Sequence, residues 1–589
     1  MRRTLPAIVL FLLLCACTAD TERPADVQIV LEQGEGFTAA EYVCVVPKGA
    51  DAVFSVSPEP GYAITGTDCE DAVLAGDTLT IPNARYSTVV TLRAEKGVSI
   101  FYYANGGTRL DGGNAQEAVE VPTVNSHPRL NTSVGTDLFQ RDGYTLTGWN
   151  TKADGSGEAV GLGSRVAWTG GLTLYAQWVQ WTPANDFIWE TEGAGVRITG
   201  YTGDAETLVI PGALNALPVW TVGENACAGG AYTQLVLPPG LRRVETGAFA
   251  NSAVRAVWLS DDIESITDYA FTGCGGLQTL HINAVEAPVY SGNYFASFAD
   301  KFDRLFSLAG QRKLVLFSGS SARFGYDSAM LDEAFEDYDV VNMGVFAYTG
   351  ATPQLLLILR CMGEGDILLH SPEFDAAQRQ FCTRSDLEDN FFCMMEANYD
   401  MVSLLDLREC GSAFTGLTAY LSVKAGMEPK SYSLSPSGFD EDGNPVAGPS
   451  YNEYGDYCLY RPNSEDDRPI YGLPVDYTVR SFPKTQFLDP LNAMYQRFLD
   501  RGVRVYFTYA PRNRLAVSAH STRPARAELD VWLRENLCVP VISDIEDSLV
   551  SGIYLYGTDN HLSTEGVALR TQQIIRDLKA QLEQEGIYD

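Results

Sequence analysis

The chain of 589 residues is poor in basic side chains: 42 lysines and arginines stand against 75 aspartates and glutamates, a formal net charge of -33. Such a surface would repel phosphate groups, so the composition argues against a nucleic-acid partner. It fits a soluble exported protein without identifying what that protein binds. The length exceeds what one hydrophobic core supports, so we expect several domains.

Metal-binding patterns are also missing. The chain has five histidines, and its cysteines form no CxxC pair and no cluster with histidine at metal-ligand spacing, which argues against a zinc site. Cys44 and Cys69 could bridge within one small domain. A second set could pair within one insertion: Cys382, Cys393, Cys410 and Cys458. The spacing leaves these pairings open.

No apolar run is long enough to span a bilayer stably. Arg2-Arg3 precedes the short apolar run Leu5–Leu14, which is typical of a signal peptide. The following Leu-Cys-Ala-Cys resembles the bacterial lipobox, which implies lipidation of Cys17; a plain secretory signal is the alternative. We predict a lipoprotein signal peptide over 1–17 and a tether over 18–25. The protein would then be lipid-anchored outside the bacterial cytoplasmic membrane or on the cell surface.

Two all-β modules are predicted next. Short strands separated by Gly, Pro and Asp over 26–97 predict a small β-sandwich. Within 98–180, SIFYYANGGT combines an aromatic strand with an Asn-Gly turn, and RDGYTLTGWNTKADGSGE and LTLYAQW follow. These segments resemble the Listeria–Bacteroides repeat of internalin-type surface proteins, which implies a small β-grasp-like module. Its aromatic residues either fill the core or bind glycan.

Residues 181–285 repeat internally. Val222, Val244 and Ile266 are 22 residues apart, and neighbouring apolar positions follow the same period. Each unit is too small to bury its own apolar face, so the units must stack. The phrases VETGAFANS and ITDYAFTGC resemble the BspA-type leucine-rich repeat, which implies a short solenoid. It could bind a protein or glycan ligand, or act as a rigid spacer.

The remainder, 286–589, alternates strand and helix patterns. This alternation predicts a mostly parallel sheet with helices on both faces, an α/β/α three-layer domain. The predicted strands are Leu314–Phe317, Asp339–Met343, Ile367–His370, Val503–Tyr509 and Val539–Ser543. A long insertion over 383–479, rich in Tyr, Pro, Asp and Gly, is expected to be functional or a lid. Its tyrosines, Tyr432 and Tyr460 among them, could stack on sugar rings or form the insertion's own core.

The stretch KLVLFSGSSARFGYDS, Lys313–Ser328, is the candidate for chemistry. A buried strand there turns through small residues into a helix, at the edge of the sheet where ligands bind. A serine in such a turn could be a nucleophile, with backbone N–H groups ready to stabilise an oxyanion. An ordinary turn is the alternative reading of the same residues.

Four blocks follow in order: Gly319–Ser321, Asn342–Gly344, His370–Glu373 and Tyr556–Gly566. Together they resemble the SGNH/GDSL hydrolase superfamily over roughly 311–588. The resemblance implies the following roles and no cofactor: nucleophile Ser321, general base His561, orienting acid Asp559, and oxyanion donors at the N–H groups of Ser321 and Gly344. A serine hydroxyl needs such a base, and the tetrahedral intermediate needs such donors.

The chain departs from the superfamily in two places. The acid usually stands three residues before the histidine, where this chain has Thr558, and the third block lacks the expected asparagine. Ser371 or Glu373 occupies that position. We take Ser371, Glu373 and Arg512 as possible substrate-binding residues, and His370 as the rival base.

The sequence thus predicts a multidomain protein with N-terminal all-β modules, a short leucine-rich-repeat solenoid and a C-terminal α/β/α domain. The expected function is an envelope-anchored serine esterase or acyltransferase. Its substrate would be an ester, such as O-acetyl, on cell-wall polysaccharide, peptidoglycan or extracellular polysaccharide. The alternative is a non-catalytic surface adhesion or binding protein with a degenerate hydrolase domain.

Overall fold

The computed structural model of the chain describes these residues: 26–34, 36–59, 62–69, 72–75, 78–96, 98–123, 138–165, 172–290, 294–374, 382–427, 438–439, 445–446, 451–470 and 474–588. The predicted signal peptide, the tether and Cys17 lie outside them. No helix within these ranges has the length and apolarity that a membrane span requires. The chain divides into two compact units, Met1–Lys96 and Gly97–Asp589.

The first unit is built from short strands with apolar side chains on one face. Its strands are β1 Asp26–Leu31, β2 Phe37–Ala39, β3 Val43–Pro47, β4 Ala52–Pro58, β5 Tyr62–Thr67, β6 Val73–Ala75, β7 Thr78–Ile81, β8 Thr88–Val90 and β9 Leu92–Lys96. They form three small sheets, ordered β3-β1-β8, β2-β4-β7-β6 and β5-β9. In β1, alternate residues Val27, Ile29 and Leu31 point into the core, as a period of two requires.

The second unit begins with another β module. Its strands are β10 Val98–Tyr103, β11 Thr108–Arg109, β12 Val119–Thr123, β13 Phe139–Gln140, β14 Tyr144–Asn150, β15 Ala159–Val160 and β16 Leu172–Gln180. The main sheet has the order β12-β10-β16-β14-β15. Asn105 and Gly106 both have positive φ, as the predicted Asn-Gly turn requires. Tyr102 and Trp149 lie in the core with their rings 4.7 Å apart, so these aromatic residues fill the module.

The repeating segment forms mostly parallel ladders, with two antiparallel strand pairs at its start. Its strands are β17 Phe187–Glu192, β18 Gly195–Tyr201, β19 Thr207–Val209, β20 Ala213–Leu214, β21 Leu217–Val222, β22 Gln234–Val236, β23 Arg243–Val244, β24 Ala256–Ser260 and β25 Thr279–Asn283. One sheet runs β19-β22-β24-β25. Leu235 pairs with Val257, and Val257 pairs with Leu280. The apolar positions aligned by the 22-residue period therefore stack directly on one another.

The rest of the chain alternates strands and helices. The helices are α1 Ser297–Ser307, α2 Ser320–Arg323, α3 Ser328–Ala334, α4 Ala351–Arg360, α5 Asp389–Met395, α6 Asp400–Ser403, α7 Phe414–Lys424, α8 Asp489–Leu499, α9 Arg523–Asn536 and α10 Thr564–Gln584. The strands are β26 Lys313–Phe317, β27 Asp339–Asn342, β28 Ile367–His370, β29 Gly438–Phe439, β30 Pro445–Val446, β31 Arg504–Phe507, β32 Arg512–Asn513 and β33 Leu549–Val550.

The central sheet is parallel and has the order β27-β26-β28-β31. Val315 and Phe317 face a core that includes α1 and α4, whereas Leu314 and Leu316 face one that includes α3 and α10. Helices therefore cover both faces, and the predicted parallel sheet with helices is confirmed. Of the fifth predicted strand, only one bridge forms, Phe507 to Val541. The order reverses beside β26, so the carboxyl ends of β26, β27 and β28 surround a crevice.

Helices of the insertion pack against the repeats. Phe414 of α7 stacks on Phe271 with ring centres 4.4 Å apart, and Asp268 accepts hydrogen bonds from the N–H groups of Ala413 and Phe414. Lys424 at the end of α7 reaches Asp261. These contacts join the repeats and the α/β region through one continuous core.

None of the disulfides that the cysteine spacing left open is formed within the described residues. Within the described residues all ten cysteines from Cys44 to Cys538 are thiols, including Cys69 and the four of the insertion region. Burial raises the pKa of Cys410 to about 12, so this thiol stays protonated at neutral pH.

Candidate active site

The turn after β26 is held tightly against its neighbours. Ser318 and Gly319 connect the strand to the short helix α2. A Cβ at Gly319 would collide with Ala347 and would lie 2.7 Å from the Glu373 Oε1 atom. The turn is therefore clasped between the segments that follow β27 and β28, and only glycine fits there.

The structure brings one serine hydroxyl to a histidine at this turn. Ser320 Oγ lies 2.8 Å from His561 Nε2. The imidazole stacks on Phe324 with ring centres 4.2 Å apart, and the His561 backbone N–H donates to Thr558 Oγ1 over 2.8 Å. A ring stacked on one side and anchored by its backbone presents Nε2 to Ser320 in a set orientation. A neutral imidazole in this arrangement can accept the serine proton.

This hydroxyl belongs to Ser320, not to the predicted Ser321. Ser321 is 1% exposed, its Oγ lies 3.0 Å from Ser318 Oγ, and its N–H donates to Glu373 Oε1 over 2.8 Å. The physical reason is helical phase. Since α2 begins at Ser320, the next residue is rotated by about 100° and points inward while Ser320 points towards His561.

Asp559 does not orient His561. Its Oδ1 accepts the Ile470 N–H over 2.8 Å, and its carbonyl accepts the Asn513 N–H. Across the described ranges, no carboxylate hydrogen-bonds to the His561 ring. The tight turn before the histidine directs the Asp559 side chain inward, where it anchors two neighbouring segments. In this structure the side chain of the predicted acid contacts the segment at Ile470.

Gly344 is close to the turn but its N–H is already used. That N–H donates to Asn342 Oδ1 over 3.0 Å, and the Gly344 carbonyl accepts from Lys301 Nζ. A Cβ here would lie 2.6 Å from Ala322 Cβ and 2.7 Å from the Arg323 nitrogen. Glycine is required for this close approach. The Gly344 N–H, predicted as an oxyanion donor, is bonded to Asn342 in this structure.

Glu373 lies in the block for which the resemblance read from the sequence led us to expect an asparagine. Its Oε1 accepts from the Ser321 N–H, and its Oε2 accepts from Asn560 Nδ2 over 2.7 Å. The Thr558 hydroxyl donates to Asn560 Oδ1, which directs the amide group towards Glu373. Sequence reasoning missed Asn560, although it stands next to His561. The one signal in the sequence that could have drawn attention to Asn560 was its position directly before His561, the predicted general base.

Two predicted substrate-binding residues are enclosed. Ser371 is buried, its N–H donates to the Phe317 carbonyl, and its Oγ accepts from Tyr326 Oη over 3.2 Å. Arg512 lies buried in β32, which pairs with β33. Neither side chain is presented to a ligand at the crevice, because each completes the packing behind it.

His370, the rival base, lies in the core. Its Nδ1 lies 2.8 Å from Tyr495 Oη, and burial lowers its pKa to about 3. It lines a small cavity of about 30 Å³ together with Thr349, Gln354 and Glu373. A cavity of this size holds about two water molecules and no sugar. No group of three metal-ligating side chains occurs in the ranges that the structure covers.

Buried cations surround His561. Burial, together with the positive charges of Arg323 and Arg461, lowers the pKa of His561 to about 3. Burial likewise lowers the pKa of Arg461 to about 10 and that of Lys301 well below its usual value. The imidazole is therefore neutral at physiological pH, and placing a proton on it is costly unless negative charge develops nearby.

A tyrosine-rich part of the insertion forms one wall of this region. Tyr457 packs against Phe324 with ring centres 4.6 Å apart, and its N–H donates to the Arg323 carbonyl. Tyr460 is 39% exposed, whereas Tyr432 lies outside the described residues. Tyr457 therefore serves packing, and Tyr460 presents its ring to solvent.

Comparisons with known proteins assign one segment. Residues 99–177 match the family model of the Listeria-Bacteroides repeat domain, which confirms the resemblance read from the sequence. Such a domain is typical of bacterial surface or extracellular proteins. The comparison with curated proteins finds no match.

Two solved structures show limited similarity. A leucine-rich-repeat protein of T. pallidum, TpLRR, is 20% identical over 17% of this chain and 71% of its own, with a TM-score of 0.13. The protein YxiM of Bacillus subtilis is 12% identical over 46% of this chain and 57% of its own, with a TM-score of 0.23. Both scores are too low to support an argument about fold or function.

Proposed function

We propose that the C-terminal α/β region is a serine esterase or acyltransferase in which Ser320 is the nucleophile and His561 the general base. The observation that carries this proposal is the 2.8 Å contact between Ser320 Oγ and His561 Nε2. It lies where β26 ends, at the edge of a parallel sheet at which ligands bind. This proposal keeps the order of sequence blocks on which the resemblance to SGNH/GDSL hydrolases was based. It differs from that resemblance in taking Ser320 as the nucleophile in place of Ser321.

The reaction would follow the usual acyl-transfer sequence. The Ser320 proton moves to His561 Nε2 while Oγ attacks the ester carbonyl carbon, forming a tetrahedral oxyanion. The bond to the alcohol oxygen then breaks, and His561 returns the proton to that oxygen. Water or a second hydroxyl attacks the acyl-Ser320 ester by the same route, giving hydrolysis or transfer. No metal or cofactor takes part in these steps.

The proposed substrate is an O-acyl ester, most simply O-acetyl, on a cell-wall or extracellular polysaccharide. The surface-type repeat domain favours an envelope location. Tyr348, Tyr460 and Tyr556 are exposed and adjoin the segments that carry Gly344, Arg461 and His561. Exposed aromatic rings of this kind can stack on sugar faces.

The proposal extends to how the enzyme is displayed. Cys17 would carry a lipid anchor, and the parallel ladders would be a short leucine-rich-repeat solenoid acting as spacer. The test of anchoring is Cys17→Ala in cells: the protein should lose a metabolic palmitate label and leave the membrane fraction. Retention of both would refute the lipid anchor while leaving the enzyme proposal intact.

The adjacent serines provide the decisive experiment. The full-length protein is treated with a fluorophosphonate, and the labelled peptide is mapped by mass spectrometry. We expect Ser320→Ala to reduce labelling and p-nitrophenyl acetate turnover by about 1000-fold or more. Ser321→Ala should stay within about tenfold of the unsubstituted protein, since it loses only a buried hydroxyl contact. The opposite pattern would make Ser321 the nucleophile.

Three observations favour a second candidate, a non-catalytic surface binding protein. Glu373 fills the space beside the Ser321 N–H, the Gly344 N–H is engaged elsewhere, and His561 has a pKa of about 3. Absence of labelling at both serines, in the folded protein and also in its Glu373→Ala variant, would favour this alternative over the esterase.

A further inference from the structure

Two hydrogen-bond donors near the nucleophile turn point at the same carboxylate, that of Glu373. One is the N–H of Ser321, the residue after the proposed nucleophile, and the other is the amide of Asn560, the residue before the proposed base. The backbone N–H that follows a nucleophile is a common oxyanion donor in serine hydrolases. The Thr558 hydroxyl holds the Asn560 amide in the orientation that completes the pair.

The space between these donors is filled by the chain's own carboxylate, which offers one oxygen to each of them. Glu373 Oε1 is 2.8 Å from the Ser321 nitrogen, and Oε2 is 2.7 Å from Asn560 Nδ2. Glu373 is 4% exposed, and its Oε1 lies against Gly319 at the nucleophile turn. A carboxylate resembles the oxyanion of a tetrahedral intermediate in charge and in its hydrogen-bond acceptors.

We infer that Ser321 N–H and Asn560 Nδ2 form the oxyanion pocket, and that Glu373 occupies it as an intramolecular inhibitor. This inference rests on the proposed esterase function. The pocket accepts either Glu373 or the developing oxyanion, because both need the same two donors. Displacement of Glu373 activates the enzyme, and a small free carboxylate such as acetate competes for the vacated pocket.

The pocket also accounts for the electrostatics of the site. An oxyanion beside Ser320 would place negative charge near His561, whose protonated form is disfavoured by Arg323 and Arg461. Oxyanion formation and proton transfer to His561 would therefore stabilise each other. The unfavourable effect of Arg323 and Arg461 on protonated His561 would therefore be offset when an oxyanion forms in the pocket.

The test compares rates of fluorophosphonate labelling of Ser320 in the full-length protein and in Glu373→Ala. The phosphonyl oxygen needs the pocket, so Glu373→Ala should label at least about tenfold faster. Glu373→Ala/Asn560→Ala should lose that gain, because one donor is missing. Acetate at about 100 mM should slow the Glu373→Ala protein at least twofold, and chloride at equal ionic strength should not.

The outcomes separate this inference from the proposed function. If the unsubstituted protein labels at Ser320 and Glu373→Ala labels equally fast or more slowly, the inhibitor role is wrong and the esterase stands. If neither protein labels, both proposals fail. A gain that persists without Asn560 and is insensitive to acetate would overturn the composition of the pocket.

Glu373→Gln keeps the shape and provides a second variant in case the alanine protein unfolds. Its side chain offers one acceptor oxygen and one amide, so it cannot satisfy both donors. We expect a smaller gain than for alanine, in the same direction. Thermal unfolding of each variant shows whether a labelling change reflects the pocket or a loss of fold.

Discussion

Two clusters of buried charged residues in the second unit differ in whether their cations lie beside carboxylates. Where α7 meets the repeats, Lys424 Nζ lies 2.7 Å from Asp261 and 3.2 Å from Glu396. Backbone N–H groups and Tyr420 complete the hydrogen bonds of these carboxylates. Every charge there has a partner of opposite sign, and the cluster joins two regions of the fold.

The cluster around the candidate site is built differently. Lys301 and Arg461 donate mainly to backbone carbonyls, and neither forms an ion pair with any carboxylate that the structure describes. The pKa of Asp456 is raised by burial even though it accepts hydrogen bonds from Ser328 and Asn342. Such shifted pKa values gather where a ligand or a reacting group completes the charge balance. The contrast teaches that the cation at the interface lies beside two carboxylates, whereas the cations at the site are held mainly by backbone carbonyls.

The largest effect on stability is expected from Lys424→Met at the matched cluster. Loss of the ammonium group leaves Asp261 and Glu396 buried without their cation, which should cost about 3–5 kcal/mol of stability. Urea denaturation checks this, with Arg468→Met as control. Among the described residues that surface arginine pairs with Asp466 alone, and its loss should change stability by less than about 0.5 kcal/mol. A loss of stability no larger than that of Arg468→Met would contradict the interpretation that Lys424 balances the charges of Asp261 and Glu396.

Acidification should act on the site through His561. Its folded pKa of about 3 lies below the ordinary 6.5, so between these values the unfolded chain binds a proton that the folded chain does not. Stability therefore falls as the pH drops from 6.5, by up to about 1.4 kcal/mol per pH unit. His561→Gln should reduce this slope in urea titrations at pH 7 and pH 5. An unchanged slope would show that His561 is not held neutral.

A smaller loss is expected for Lys301→Met than for its counterpart Lys424→Met. The carboxylate of Asp456 keeps its bonds from Ser328 and Asn342, and mainly the bond to the Gly344 carbonyl disappears. We expect a cost of about 1 kcal/mol, measured by the same urea titration. A cost equal to that of Lys424→Met would remove the distinction between the two clusters.

The smallest change is expected from Arg461→Met. Removing this positive charge should raise the pKa of His561, since Arg461 is one of the two cations that lower it. The shift can be followed by NMR on protein with labelled histidine. Arg468→Met again serves as control and should leave the His561 resonance unchanged. A fall in the pKa would contradict the assigned electrostatics.

Local patterns carried much of the fold prediction. The apolar run at Leu314–Phe317 and the alternation of strand and helix suffice for a parallel sheet, because buried strands and amphipathic helices have distinct periods. The phrases around Ser99 and Trp149 were enough for the repeat domain over 99–177. The missing fifth strand shows the limit, since an apolar run at Val539–Ser543 forms only one bridge.

The residues proposed from the sequence lie around one turn of the structure, but their contacts differ from those expected. His561 contacts Ser320 in place of Ser321, and the Asp559 side chain accepts a hydrogen bond from the Ile470 N–H. Which of two neighbouring serines faces the base depends on the residue at which α2 begins. That boundary is set by packing against Ala347 and Glu373, which are distant in the chain.

The sequence by itself determined the modular order, the repeat period and the residues near the sheet edge, because these follow from composition and periodicity over short stretches. Only the tertiary structure decided that Ser320 meets His561, that Asp559 turns inward, and that Glu373 lies between Ser321 and Asn560. Those contacts join residues about 50 to 240 positions apart, and a hydrogen bond depends on angles and distances that no local pattern encodes.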